Sequence, residues 1–598
     1  MFPPVSLRLE LSQIALRKQR ARQLAMEGHY RRAYRDLLWL SERIGDDADI
    51  FCNLGGVCFH LQLFDQALIA LNHCLDLDSD HLFGLINCGN VQMALGRADL
   101  AELLYRQALA LSADQPLACA GLAHVLMKTE RVQEAFDCCE RALQQSPYHY
   151  PLLLRKAEAC LQLRQHRDAI QILNRALPLA PQGSTAYAEG LLQMGACLVA
   201  YSSPQQAVDY LRAALAIVPR SGDAWNLLGL ASRDLADTET ARSSFHAAWR
   251  YSRSYADAIN FYLVQPSFVY DRQTLDRYRR RYFRGIASLK RLDLAPLCKT
   301  EHHWYLHPFN LAYQPGSMKA AMQGFADVIK REAARRRPDL FMRPRPRSQP
   351  RPDGRLRLVF VSDFFYGHSN QRAFEGLIRY IDRSRFKVIV AHGALSVQDA
   401  VRDRIDGYAS SVVHLSQDIA ECVEMLEGLR PDILFYTDLG MSPFMHILAQ
   451  VRIAPLQVTS WGLPYTSGIE TIDCYLSSVL TEPAGAQRHY VEPLHGLSRL
   501  PCVYLQEHLV RPVRSREYFF LEDGQFLFGC LQNTIKYHPD FDWVLEQVAQ
   551  RCPEARFVLA EDVKTVHTML LLDRLAQTAP TFYSRIHLVS MMKRDDFI

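Results

Sequence analysis

The stretch LRLVFVSDFFYGH, residues 356–368, decides the architecture of the second half of this chain. Its first seven residues are nearly all apolar and rich in branched side chains, the pattern of a strand buried on both faces. SDFFYGH then breaks it. Runs of the same kind recur as FKVIVAHG (386–393), SSVVHLS (410–416), DILFYTDLG (432–440), LQVTSWG (456–462) and DCYLSS (473–478), with helical stretches between several of them. Short apolar strands joined by crossovers predict a parallel, doubly wound α/β lobe over residues 355–505. QFLFGCLQ, ARFVLAE and RIHLVSM begin a second lobe of the same kind over residues 515–598. Two lobes in series predict a cleft, with ligands outside the carboxyl ends of the strands.

Upstream lies a segment rich in Arg and Pro, residues 335–354, which disfavours helix and central strand and reads as a solvated linker. Residues 256–334 read as a helical adaptor. Before them the sequence repeats itself. Gly55, Gly89, Ala123 and Ala157 are 34 residues apart; twelve residues after each comes Ala67, Ala101, Ala135 or Ala169, and seven later Cys74, Ala108, Ala142 or Ala176. After a short insertion near Tyr201 the phase resumes at Gly195 and Gly229. This unit resembles the tetratricopeptide repeat, a helix-turn-helix hairpin, and about seven fit between residues 17 and 255. Small residues let the paired helices approach, and stacked hairpins form a superhelix whose groove suits extended polypeptide. Asn53, Asn87 and Asn226 recur at one offset and are candidates to bind peptide backbone.

Composition excludes several classes. The chain has 598 residues, 49% hydrophobic and 22% charged, and its net charge is 68 − 64 = +4, too small to imply nucleic acid or an anionic membrane as partner. Charged residues interrupt each apolar stretch of the first twenty residues, so neither a signal peptide nor a spanning helix is expected, and a cytoplasmic location is. The fifteen cysteines contain no CxxC pair and read as reduced, mostly buried thiols, with no metal site.

The unusual residues lie in the loops after strands: SDFFYGHSNQR, SWGLPYTSG and LQNTIKYHP. There is no GxGxxG and no GxxxxGK[ST]. WGLPYTSG reads as a tight, glycine-permitted loop that brings backbone N–H groups to the cleft, with Gly462, Pro464, Thr466, Ser467 and Gly468 as candidate substrate-binding residues.

With these loops, LRLVFVSDFFYGH, RIAPLQVTSWGLPYTSGIETIDCYLSS and GCLQNTIKYHPD, the chain resembles the protein O-GlcNAc transferases and SPINDLY-type glycosyltransferases along nearly its whole length. The resemblance implies the two-domain GT-B fold and transfer of a sugar, GlcNAc first among candidates, from a UDP-sugar to Ser or Thr of a protein held in the repeat groove. It implies inversion, no metal, and no cofactor beyond the donor. His368 falls at the family's active-site histidine, and Lys536 matches its diphosphate-contacting lysine, where a cation stabilises the leaving charge. Asn533 stands where the family has a glutamine near the nucleotide. Ser369 and Arg372 replace the family's proline and following histidine, and a second family histidine falls at Ser411. HSNQR is similar to the bacterial N-glucosyltransferases, so a protein N-glucosyltransferase using UDP-glucose stays open. The family's second domain continues well beyond RIHLVSMMKRDDFI, so the second lobe reads as incomplete and a non-enzymatic repeat scaffold is the third alternative.

Overall fold

The computed structural model describes residues 5–292, 305–348, 351–505, 514–562 and 564–590. The chain divides into two compact units, residues 1–201 with 216–218, and residues 202–215 with 219–598.

In the first unit, helix Ala48–His60 pairs with Phe64–Leu77, Leu82–Ala94 with Ala98–Leu111, Pro116–Lys128 with Val132–Gln145, and Tyr150–Gln162 with His166–Ala176. The small positions explain the pairing. A Cβ added at Gly89 would lie 2.7 Å from the ring of Tyr105, so only glycine lets that ring cross beneath its partner helix. Ala67, Ala101, Ala135 and Ala169 are all fully buried. The first helix of each pair is capped at the same repeat offset, by Asp47, His81, Gln115 and His149, whose side chains accept from Ile50, Gly84, Leu117 and Leu152 N–H. The asparagines are less uniform. Asn87 Nδ2 donates to Cys52 Sγ at 3.5 Å, and Asn226, in the second unit, is buried against Asp257.

The second unit carries two sheets. The larger contains β1 Leu356–Ser362, β2 Phe386–His392, β3 Ser411–His414, β4 Ile433–Tyr436, β5 Leu456–Thr459, β6 Cys474–Ser478 and β7 Leu494–Leu497, all parallel, in the order β3-β2-β1-β4-β5-β6-β7. The smaller contains β8 Leu527–Cys530, β9 Arg556–Ala560 and β10 Ile586–Val589, also parallel, in the order β10-β9-β8. The expected architecture, helical repeats followed by a parallel α/β region, is therefore present. β7 escapes sequence reading because LHGL lacks branched residues at all but its ends.

Strand alternation sends side chains to two cores. Val359, Val361, Ile389, Leu434 and Tyr436 join one with Tyr282, Met322 and Phe325 from the helices Arg272–Arg291 and Lys319–Arg336. Leu358, Phe360, Val388, Val390 and Phe435 join the other with Phe374 and Ile378. The adaptor thus forms one of the two layers covering the sheet. The smaller sheet is held to the adaptor as well. Arg574, 1% exposed, makes a two-pronged pair with Asp542, both contacts at 2.9 Å, and donates to Val269 O at 2.7 Å and Tyr537 O at 2.9 Å.

The Arg/Pro-rich segment differs from a solvated linker. Asp432 is buried at the head of β4, and a buried carboxylate needs donors. It accepts from Ser348 Oγ at 2.5 Å, Arg351 Nε at 3.1 Å and Arg357 N–H at 2.8 Å, while Arg343 pairs with Glu427 at 2.7 Å. Leu340 and Phe341 are buried. No described helix is long and apolar enough to cross a membrane.

Candidate active site

The strand order reverses between β1 and β4: β1 leads outward to β2 and β3, and the chain then returns to lay β4 on the other side of β1. Loops leaving the carboxyl ends of two such strands diverge and leave a crevice. The loop after β1 carries Asp363 and His368, that after β4 carries Thr437 and Asp438, and that after β5 carries Gly462.

Three contacts bind these loops together. Asp363 N–H donates to Asp438 Oδ2 at 2.9 Å, and Asn370 Nδ2 donates to Thr437 O at 3.0 Å. A Cβ at Gly462 would lie 1.8 Å from the same Thr437 O, so the β5 loop runs against the β4 loop too closely for any side chain. His368 caps the helix Ser369–Tyr380, its Nδ1 accepting from Asn370 N–H at 3.2 Å, and lies 4.6 Å from the Phe364 ring centroid. Burial lowers its pKa. A neutral imidazole whose Nδ1 accepts must carry its proton on Nε2. His368 is therefore built to donate a hydrogen bond from Nε2.

Asp363 and Asp438, which the sequence reading passed over, are 2% and 0% exposed. Ser442 Oγ donates to Asp363 Oδ2, and Leu395 N–H to its Oδ1 at 3.4 Å. Burial, and then the neighbouring Asp363 carboxylate, push the Asp438 carboxyl well up. Both causes disfavour the ionised form of Asp438. The available signal was an acid one residue past β1 and two past β4, on the strands that flank the reversal.

Thr466, Ser467 and Gly468 form a separate group. Glu492 is 1% exposed, with Oε2 accepting from Thr466 Oγ1 and Oε1 from Ser467 Oγ and, at 2.8 Å, Ser467 N–H. Thr466 Oγ1 also accepts from Val491 N–H at 3.0 Å and Gly468 N–H at 3.2 Å. One donor and two acceptors are the whole capacity of a hydroxyl. Both side chains thus secure a buried carboxylate, an arrangement that loop chemistry alone does not reveal. Gly468 has φ +77, and a Cβ there would lie 2.4 Å from Met322 C, while Pro464 is exposed.

Asn533 and Lys536 lie together in the turn after β8. Asn533 Oδ1 accepts from Ile535 N–H at 3.1 Å, and Thr534 Oγ1 donates to Asp562 at 2.6 Å, fixing the turn. Lys536 is exposed; its Nζ lies 3.1 Å from Gln532 Oε1 and 5.8 Å from the ring centre of Tyr313, and among the described residues it meets no carboxylate. Tyr313 also lines a crevice with Asn310, Gln314, Ile535 and His538.

Tetratricopeptide repeat models match residues 48–81, 89–150 and 130–194. An O-GlcNAc transferase mutant from Thermobaculum terrenum superposes with a TM-score of 0.53, covering 74% of this chain and 75% of that one at 20% identity. That share exceeds all the residues that precede β1 and must include α/β residues. This chain has the O-GlcNAc transferase fold.

Within that fold, sequence likeness is partial. A probable UDP-N-acetylglucosamine–peptide N-acetylglucosaminyltransferase SPINDLY of Petunia hybrida is 24% identical over 213 residues, 35% of this chain and 22% of the relative. That of Solanum lycopersicum is 26% identical over 214 residues, 35% and 23% respectively. The chain thus aligns with under a quarter of the length of these relatives. The BBSome complex member BBS4 of Bos taurus is 25% identical over 274 residues, 40% of this chain and 51% of that protein.

Proposed function

We propose that this chain is a glycosyltransferase that moves a sugar, N-acetylglucosamine first, from a UDP-sugar to Ser or Thr of a polypeptide, inverting the anomeric centre without a metal. The observation that carries the reading is the O-GlcNAc transferase fold with His368 at the loop edge of the sheet, beside the reversal of strand order. In this reading His368 Nε2–H orients an acceptor or sugar oxygen, and Lys536 offsets charge developing on the leaving diphosphate. The repeats present the polypeptide. The cytoplasm is the compartment that suits a nucleotide-sugar donor and reduced cysteines.

Intact-mass measurement of candidate polypeptides incubated with UDP-N-acetylglucosamine or UDP-glucose tests this, because the added mass names the sugar. Addition to Asn from UDP-glucose would replace the reading with the N-glucosyltransferase one. A non-enzymatic scaffold predicts no calorimetric heat with UDP and no mass added with either donor. Lys536→Ala is expected to abolish transfer while leaving repeat helicity intact; an unchanged rate would remove the lysine from the mechanism.

A further inference from the structure

Fold packing brings three soft ligands together inside the first unit. Cys52 lies on Ala48–His60, Cys74 on the antiparallel Phe64–Leu77, and His81 at the cap of the next repeat's first helix. One ligand atom from each lies within 4.8 Å of the others. Sulfur and nitrogen ligands around one tetrahedral zinc stand about 3.5–3.8 Å apart, from bonds of about 2.3 and 2.0 Å, so a contraction of at most about 1.3 Å closes the set.

The repeat pattern marks these residues as local departures. Positions equivalent to Cys52 in the next three units hold Ile86, Ala120 and Leu154, and those equivalent to Cys74 hold Ala108, Ala142 and Ala176. Hairpin packing asks only for an apolar or small side chain there, and both departures place sulfur at a single contact. The outer partners also suit a metal site. His81 Nε2 is 3.2 Å from Asp49 Oδ1, the carboxylate–imidazole pairing that orients a metal-bound histidine, which leaves Nδ1 as the ligand. Asn87 Nδ2 lies 3.5 Å from Cys52 Sγ, placed to stabilise a thiolate. The His81 side chain is 13% exposed while Cys52 and Cys74 are 5% and 0% exposed, so entry is from the histidine side.

We propose that Cys52, Cys74 and His81 bind a thiophilic divalent cation, Zn²⁺ by its chemistry, with a fourth position open to water on the His81 side. Binding releases the two thiol protons to solvent, and the metal takes the Nδ1 lone pair that now accepts from Gly84 N–H at 3.0 Å. The site would clamp both helices of one hairpin to the next repeat.

The test is titration of the reduced full chain with Co²⁺, then displacement by Zn²⁺. One equivalent is expected to give an intense thiolate-to-cobalt absorption that Zn²⁺ abolishes. Cys52→Ser/Cys74→Ser should remove the band, whereas Cys119→Ser/Cys138→Ser should keep it. His81→Asn retains a helix-capping side chain and should weaken binding at least tenfold, so the test survives if the cysteine variant misfolds; Asp49→Ala should weaken it about tenfold. Absence of the band in the unaltered chain, its persistence in Cys52→Ser/Cys74→Ser, or unchanged affinity in His81→Asn would overturn the proposal.

Discussion

Replacing Glu492 by glutamine changes no shape and removes one charge, so its effect isolates the hydrogen bonding of the Thr466–Ser467 loop. The carboxylate accepts from Thr466 Oγ1, Ser467 Oγ and Ser467 N–H. If the glutamine oxygen faces the two Ser467 donors, its NH₂ faces Thr466 Oγ1, whose acceptor capacity is already filled by Val491 and Gly468 N–H. The opposite orientation sets the amide against both Ser467 donors. Either way at least one bond to a charged acceptor is lost, about 1.5–3 kcal/mol, and at least one buried donor is left unpaired, about 1–3 kcal/mol, so Glu492→Gln is expected to cost about 2.5–6 kcal/mol locally. A chain of two units does not unfold in one step, so the appropriate measurement is hydrogen exchange at the Ser467 and Gly468 amides. Exchange should accelerate by about two to four decades, with little change in the first unit. Unchanged protection would refute the claim that this loop is an internally saturated support for Glu492.

Gly462→Ala sets a methyl group 1.8 Å from Thr437 O, a backbone atom, and should cost more than about 2 kcal/mol by thermal unfolding of the second unit; a neutral result would show that the two loops separate freely. Arg574→Leu removes four donor contacts and strands Asp542, an expected loss of about 3–5 kcal/mol, and Arg574→Leu/Asp542→Leu should recover part of it; no recovery would deny that the stranded carboxylate is the cause. His446 has both ring nitrogens buried and unbonded, and burial pushes its pKa down to about 3. The unfolded chain takes that proton below about pH 6.5 and the folded one refuses it. This contribution to stability is whole above pH 6.5 and falls toward pH 3, by about 1.4 kcal/mol per unit. Chemical denaturation across that range should show a shallower decline, by one proton, for His446→Leu; an identical slope would mean that His446 is not buried neutral.

Periodicity was enough to read the helical pairs from sequence, because Gly89 beneath Tyr105 and the buried alanines at each offset are requirements of local packing that recur with the repeat. Apolar runs identified nine of the ten described strands by the same logic, and missed Leu494–Leu497, where only the two end residues are apolar side chains. The loops bearing His368 and Lys536 were legible as polar breaks after strands. Their partners were not, since a hydrogen bond between positions such as 363 and 438, or 466 and 492, depends on strand order and leaves no trace in local composition. Tertiary structure alone decided that Thr466 and Ser467 are spent on Glu492, that the arginine-rich segment is fastened by Asp432, and that two cysteines and a histidine from separate helices meet. Local sequence fixes what each segment can bury; only the folded chain determines which buried polar groups find each other.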